Sequence, residues 1–170
     1  MLELAFFIIF IIGVFSFFSL APRVPTKNKD LKIISETINL KAGDKFLEIG
    51  CGTAKVSLFL SNKYPESRII GIELSPFLYI ISKIKAYLKG NKNLKILYGN
   101  ALKLNFSDYD KIYMFGIEKS LENIIKPKLE LELKKGAFFY SYCFKMKGWK
   151  GKEEQIKKSK GNISIYKYSL

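Results

Sequence analysis

Histidine is absent from this chain, and cysteine, arginine and tryptophan are nearly so. Without histidine there is no imidazole to shuttle protons near neutral pH and no histidine metal ligand. Two cysteines, Cys51 and Cys143, are too few for a disulfide framework or a structural zinc centre, and they read as reduced thiols. No metal is expected. The only arginines are Arg23 and Arg68, so the planar fork that suits phosphate recognition is scarce. Internal repeats and low-complexity tracts are also missing, apart from one apolar run at the start.

The 170 residues give room for one domain, and a hydrophobic fraction of 48% is ample for a core. The net charge of +14 comes almost entirely from lysine. Such a charge attracts nucleic acid, anionic lipid or an acidic partner. Lysines spread as evenly as these also fit an ordinary solvated surface.

Leu4 to Ala21 contains no charged residue. Eighteen such residues, rich in Phe and Ile, are long enough to cross a hydrocarbon core as a helix. A cleaved signal peptide fits less well, because a basic leader is missing and Pro22 follows the candidate cleavage site. The run is therefore expected to be a retained transmembrane anchor. Arg23, Lys27, Lys29 and Lys32 follow it and assign that side to the cytoplasm. The expected division is an anchor over 1–21, a linker over 22–30 and a folded domain over 31–170. The expected localisation is a single-pass membrane protein whose domain faces the cytoplasm.

The rest is organised around Phe46–Ala54, FLEIGCGTA. A strand-like run ends in Glu48, a tight turn follows with Gly50 and Gly52, and a helix-like segment comes next. In a parallel α/β sheet, a nucleotide-like ligand sits at the carboxyl end of such a strand. Glu73, 25 residues after Glu48, ends a second strand-like run, where a carboxylate suits a ribose diol.

The pattern alternates throughout. Thr26 is expected to cap a first helix with Asp30 in its first turn and Leu31, Ile34 and Ile38 on one face. Strands are expected over Lys45–Ile49, Arg68–Leu74, Leu94–Tyr98, Lys111–Phe115 and Ala137–Phe144. Helices are expected after the glycine turn, over Pro76–Lys89 and over Leu121–Leu133, the last tolerating Pro127 near a break. Glu153–Lys158 and Ile163–Tyr168 suggest a closing hairpin around Gly161-Asn162. Alternating strands and helices imply a mostly parallel sheet covered on both faces.

The turn EIGCGTA, the acidic GIEL and the polar GNA fall in order at three strand ends, and together they resemble a class I S-adenosylmethionine-dependent methyltransferase. The segments VPT, GIELSPF, IIKPKLELELKKG and SYCFKMKGW further resemble a small group of protein-lysine methyltransferases. Its members include those modifying the mitochondrial ATP synthase c-subunit and the adenine nucleotide translocase, and a small archaeal enzyme of broad specificity. The chain departs from that group at Thr53-Ala54, where Gly-Arg is common, and at Tyr142-Cys143.

The resemblance implies a Rossmann-like sheet of seven strands, mostly parallel, with a C-terminal antiparallel hairpin. It implies S-adenosyl-L-methionine as cofactor. Glu48, Gly50, Cys51 and Gly52 would face its methionine part, Glu73 its ribose, and Leu74, Asn100 and Ala101 its adenine. Asn100 also reads as a plain turn residue, and the cysteine side chains as packing groups. Thr26 touches the cofactor or merely caps its helix. Glu118 is the carboxylate expected near the acceptor, with a first-turn helix charge as the other reading. Trp149 would wall the acceptor channel or anchor the last strands.

The implied reaction is lysine N-methylation of a protein at the membrane. RNA or DNA methylation is the alternative that the basic charge supports, although strand four ends IYMFGIE and lacks an Asn-Pro-Pro-aromatic run. Methylation of a lipid or small molecule, and a binding role without catalysis, complete the alternatives.

Overall fold

The computed structural model describes residues 26–157 and 164–170, together with Glu3. Among these, seven strands form one sheet in the order β3-β2-β1-β4-β5-β7-β6. The strands are β1 (Lys45–Ile49), β2 (Arg68–Glu73), β3 (Leu94–Tyr98), β4 (Lys111–Met114), β5 (Phe138–Tyr142), β6 (Lys152–Lys157) and β7 (Ser164–Ser169). β1 to β5 pair in parallel, whereas β7 runs antiparallel to both β5 and β6. This is the Rossmann-like class I methyltransferase sheet, mostly parallel with antiparallel C-terminal strands.

Side-chain alternation along each strand builds two cores. On β1, Phe46 faces one side of the sheet and Leu47 and Ile49 the other. Helix α1 (Asn28–Ile38) and helix α2 (Lys55–Lys63) cover the Phe46 face, contributing Leu31, Ile34, Ile38, Val56 and Leu60. Glu48 shares that face with Phe46. Helix α3 (Pro76–Lys89) packs against β2 and β3, with Ser75 at its N-cap, Pro76 in its first turn and Gly90 at its end.

The opposite face is covered by a helical stretch in three parts: α4 (Glu118–Ser120), a π-helical turn (Leu121–Ile125) and α5 (Lys126–Glu132). The sequence anticipates a helix over Leu121–Leu133 with a break near Pro127, not three parts. Pro127 explains the difference, because it has no N–H to donate and crowds the preceding turn, so the wider π pairing falls just before it.

Other boundaries shift by a residue or two. β2 stops at Glu73, β4 at Met114 and β5 at Tyr142. Thr26 does not cap α1: Lys27 holds that position without a side-chain hydrogen bond, and Asp30 is buried. The predicted hairpin pairs as β6 and β7, while its Gly161-Asn162 turn lies outside the described residues.

The expected transmembrane span, Leu4–Ala21, also lies outside the described residues. Among the described residues no helix is long and apolar enough to cross a membrane. The longest of them, α3, has 14 residues. It reaches about 21 Å, against roughly 30 Å of hydrocarbon, and it carries Lys83, Lys85 and Lys89. The expectation of a single-pass membrane protein with a transmembrane helix and a cytoplasmic domain is corrected accordingly.

Candidate functional site

The glycine turn leaves β1 at its carboxyl end. Gly50 and Gly52 take φ of 67° and 56°, angles that a side chain strains to adopt. The amides of Gly50 and Cys51 both donate to the carbonyl of Ile72, at 2.9 and 3.0 Å. This fastens the turn to the end of β2. Gly71 lets that happen: a Cβ there would lie 3.0 Å from Cys51 Sγ and 3.1 Å from Ile96 Cδ1. Cys51 thus packs its side chain inward and offers only main chain to the turn. Burial pushes its thiol far above the usual range, and it pushes the Cys143 thiol up to about 11. Neither sulfur is a ready nucleophile.

Glu73 sits across this turn. It accepts hydrogen bonds from the Gly52 amide and from the Ser75 amide, each at 2.8 Å. A carboxylate has about four acceptor positions, so capacity remains for a diol. Glu48 lies one strand away with its Oε2 accepting from the Ser57 amide at 2.8 Å and from the Ser57 hydroxyl. Burial raises the Glu48 pKa to about 8; the two Ser57 hydrogen bonds lower it, and the nearby Glu73 charge raises it further. Leu74 follows β2, half-buried. Asn100 closes β3, and its side-chain oxygen accepts from the Leu102 amide at 2.9 Å, starting a short 3₁₀ turn over Ala101–Lys103. Gly50, Cys51, Gly52, Glu48, Glu73, Leu74, Asn100 and Ala101 all therefore lie at or just beyond the carboxyl ends of β1, β2 and β3.

The two residues expected on the acceptor side are placed differently. Glu118 opens α4, half-exposed, and pairs with Lys147, which it holds above the usual lysine pKa. Trp149 donates from Nε1 to the Ser169 carbonyl at 3.0 Å and meets Tyr168 edge-on at 5.6 Å. That geometry ties the last strand to the core.

A second buried polar group was not anticipated. Tyr113 lies opposite Glu48 in the β1–β4 register and is 1% exposed. Its hydroxyl has no partner at hydrogen-bond geometry, although Thr26 is near enough to influence its ionisation. Tyr142, at the end of β5, lies 6.4 Å from Tyr113 and 4.7 Å from Phe115, centroid to centroid. Its hydroxyl donates to Asp30 Oδ2 at 3.0 Å. Asp30 is 2% exposed. The sequence signal was available: residues 30, 34 and 38 recur at four-residue spacing, which puts Asp30 on the buried stripe of α1. Thr26 itself lies over α2, where its carbonyl accepts from the Lys55 ammonium.

These groups suit S-adenosylmethionine. The glycine turn lets main chain approach a ligand, Glu73 keeps acceptor capacity for hydroxyls, and Glu48 supplies a buried carboxyl for a cationic amino acid moiety. Among the described residues no cluster of acidic, histidine or cysteine side chains could hold a metal ion.

Comparison with known proteins agrees. A protein-lysine N-methyltransferase of Saccharolobus islandicus is 27% identical over 154 residues, covering 88% of this chain and 93% of the relative. A demethylmenaquinone methyltransferase of Geobacillus stearothermophilus is 28% identical over 109 residues, and the chain spans about half of its length, 47%. The crystal structure of an RNA methyltransferase from Salinibacter ruber in complex with S-adenosyl-L-homocysteine superposes with a TM-score of 0.77 at 18% identity, covering 86% of this chain and 93% of that one. The model of the ANTKMT methyltransferase domain matches residues 48–153, more than half of the chain and the whole of the glycine-turn region. The chain belongs to that family and is a class I methyltransferase that uses S-adenosylmethionine.

Proposed function

We propose that the enzyme methylates the ε-amino group of lysine in a protein substrate. The observation that carries this reading is the similarity to the Saccharolobus protein-lysine enzyme along nearly the full length of both chains. Similarity to the quinone methyltransferases stops at about half of their length. The catalytic domain in this reading runs over 31–170.

The bound donor supplies a methyl group on a sulfonium; its carbon passes to the acceptor nitrogen while the C–S electron pair stays on sulfur. The protein's part is to hold and orient. Glu73 takes the ribose hydroxyls, Leu74 packs on the adenine, and Asn100 with the Ala101 amide reads its edge. The Gly50–Cys51–Gly52 main chain and Glu48 receive the methionine end. Glu118, at the surface beside Lys147, meets an acceptor only at the rim.

A lysine acceptor must first lose a proton to solvent, which costs about 4–5 kcal/mol at neutral pH from a reference pKa of about 10.4. Burial against apolar walls favours the neutral amine. Alignment behind an activated methyl does most of the rest, so the lack of histidine is no obstacle.

RNA methylation is the second reading, favoured by the net charge of +14. The test is incubation of a denatured total protein extract, and separately of total RNA, with donor carrying a labelled methyl group. Label recovered as methyl-lysine after acid hydrolysis of the protein supports the proposal. Label confined to RNA, or extracted only into organic solvent, overturns it.

A further inference from the structure

Among the described residues, Asp30 is a buried carboxylate with no cation paired to it. It is 2% exposed, and none of the ion pairs among the described residues includes it. Among those residues its side chain has one hydrogen-bond partner, the Tyr142 hydroxyl at 3.0 Å. A buried carboxylate with so little compensation is costly unless something positive is brought to it.

The surroundings point the same way. Tyr113, 1% exposed, keeps a hydroxyl with no hydrogen-bond partner among the described residues, in the same buried cluster. Its ionisation responds to Thr26, Glu48, Tyr142 and Cys143, so these groups surround it. The cluster lies at the carboxyl ends of β4 and β5 on the face that also holds Glu48. It is walled by aromatic rings: Phe115 meets Tyr142 edge-on at 4.7 Å, and Tyr113 lies 6.4 Å from Tyr142. A carboxyl group set among aromatic rings is the chemistry that recognises an alkylammonium.

We propose that Asp30, steadied by Tyr142, receives the ε-ammonium of the incoming lysine, with Tyr113 supplying a second polar contact. The inference rests on the lysine reading above and deepens it. Asp30 touches the substrate in this account. Tyr142 is a positioning residue, because it fixes the carboxylate and leaves the reacting atoms alone. The separation from the cofactor residues is specific: Glu73 and the glycine turn contact the donor, and Asp30 contacts only the acceptor.

The test compares the wild-type enzyme with Asp30→Asn, which keeps the shape and can still accept from Tyr142, and with Tyr142→Phe. Methyl-lysine formation is followed against the concentration of denatured total protein extract, and affinity for S-adenosyl-L-homocysteine is measured by calorimetry. The expected result for Asp30→Asn is an apparent KM raised at least tenfold, with affinity for the homocysteine product within twofold of wild type. Tyr142→Phe should raise KM by about two- to fivefold with the same unchanged product affinity. Wild-type-like KM in Asp30→Asn overturns the inference while leaving lysine methylation standing. Loss of product binding in both variants assigns the pair to the scaffold and also overturns it. If the wild-type enzyme forms no methyl-lysine, the parent reading fails and takes this one with it.

Discussion

Glu48 and Glu73 end neighbouring parallel strands, and they are 5% and 7% exposed. Their partners nevertheless differ. Glu73 accepts from two backbone amides, those of Gly52 and Ser75, that belong to the turns following β1 and β2. Glu48 accepts from Ser57, inside the first turns of α2, and burial lifts its pKa to about 8. Two carboxylates at equivalent strand ends thus divide the work. One accepts from main-chain donors and organises the loops. The other is poised between protonated and charged forms at neutral pH, so that a cationic ligand decides its state.

The sharpest way to break this contrast is Glu73→Ala. It strips two loop amides of their acceptor and removes the proposed ribose contact. Affinity for S-adenosyl-L-homocysteine should fall by more than a hundredfold by calorimetry, with Tm lowered by several degrees. Retention of near wild-type affinity would reverse the roles given to the two residues.

The next effect is on stability. The folded state binds the Glu48 proton more tightly than the unfolded chain, with a pKa of about 8 against the usual 4.5. The stability from this group is full below about 4.5 and declines as pH rises to about 8, by up to ~1.4 kcal/mol per pH unit. Denaturant titrations between pH 5 and 9 should show this decline, and Glu48→Gln should flatten it.

A smaller effect sharpens the comparison from the ligand side. A cationic donor placed beside Glu48 should drive its proton off. Calorimetry at pH 7 in buffers of different ionisation enthalpy should then register release of a sizeable fraction of one proton on S-adenosylmethionine binding. Glu48→Gln should abolish that release, and Glu73→Gln should not. The smallest change is expected from Ser57→Ala, which removes the hydroxyl donor to Glu48 but keeps the amide. It should cost about 1 kcal/mol in denaturant unfolding and raise the pH of the stability decline.

The strand ends were the most legible part of the sequence. Glycines flanked by apolar runs and followed by helical spacing leave few ways to build a parallel sheet, and β1 and β3 fall over the residues that the pattern marks. Helix α3 was less readable. It is apolar nearly all round, yet Ser82 is its buried residue, while Phe77, Ile80, Ile84, Tyr87 and Leu88 are each more than half exposed. Polarity alone would have turned it the other way, and only packing on β2 and β3 selects the face. The three-part helix before β5 was legible only as a break near Pro127. For Trp149 the sequence left two roles open, and the fold adds its contacts with Ser169 and Tyr168.

What the sequence determined by itself was the chemistry of the first half of the site: acid, glycine turn, acid, and a polar close, each fixed by local backbone needs and by short spacing. What only the tertiary structure decided was the meeting of Asp30 with Tyr142, 112 residues apart in the chain, beside an unpartnered Tyr113. Local rules govern the conformation of a turn, but they carry no information on which distant side chains share a buried recess. That is settled by strand order, because placing β4 and β5 beside β1 brings the ends of three strands and the start of α1 to one edge.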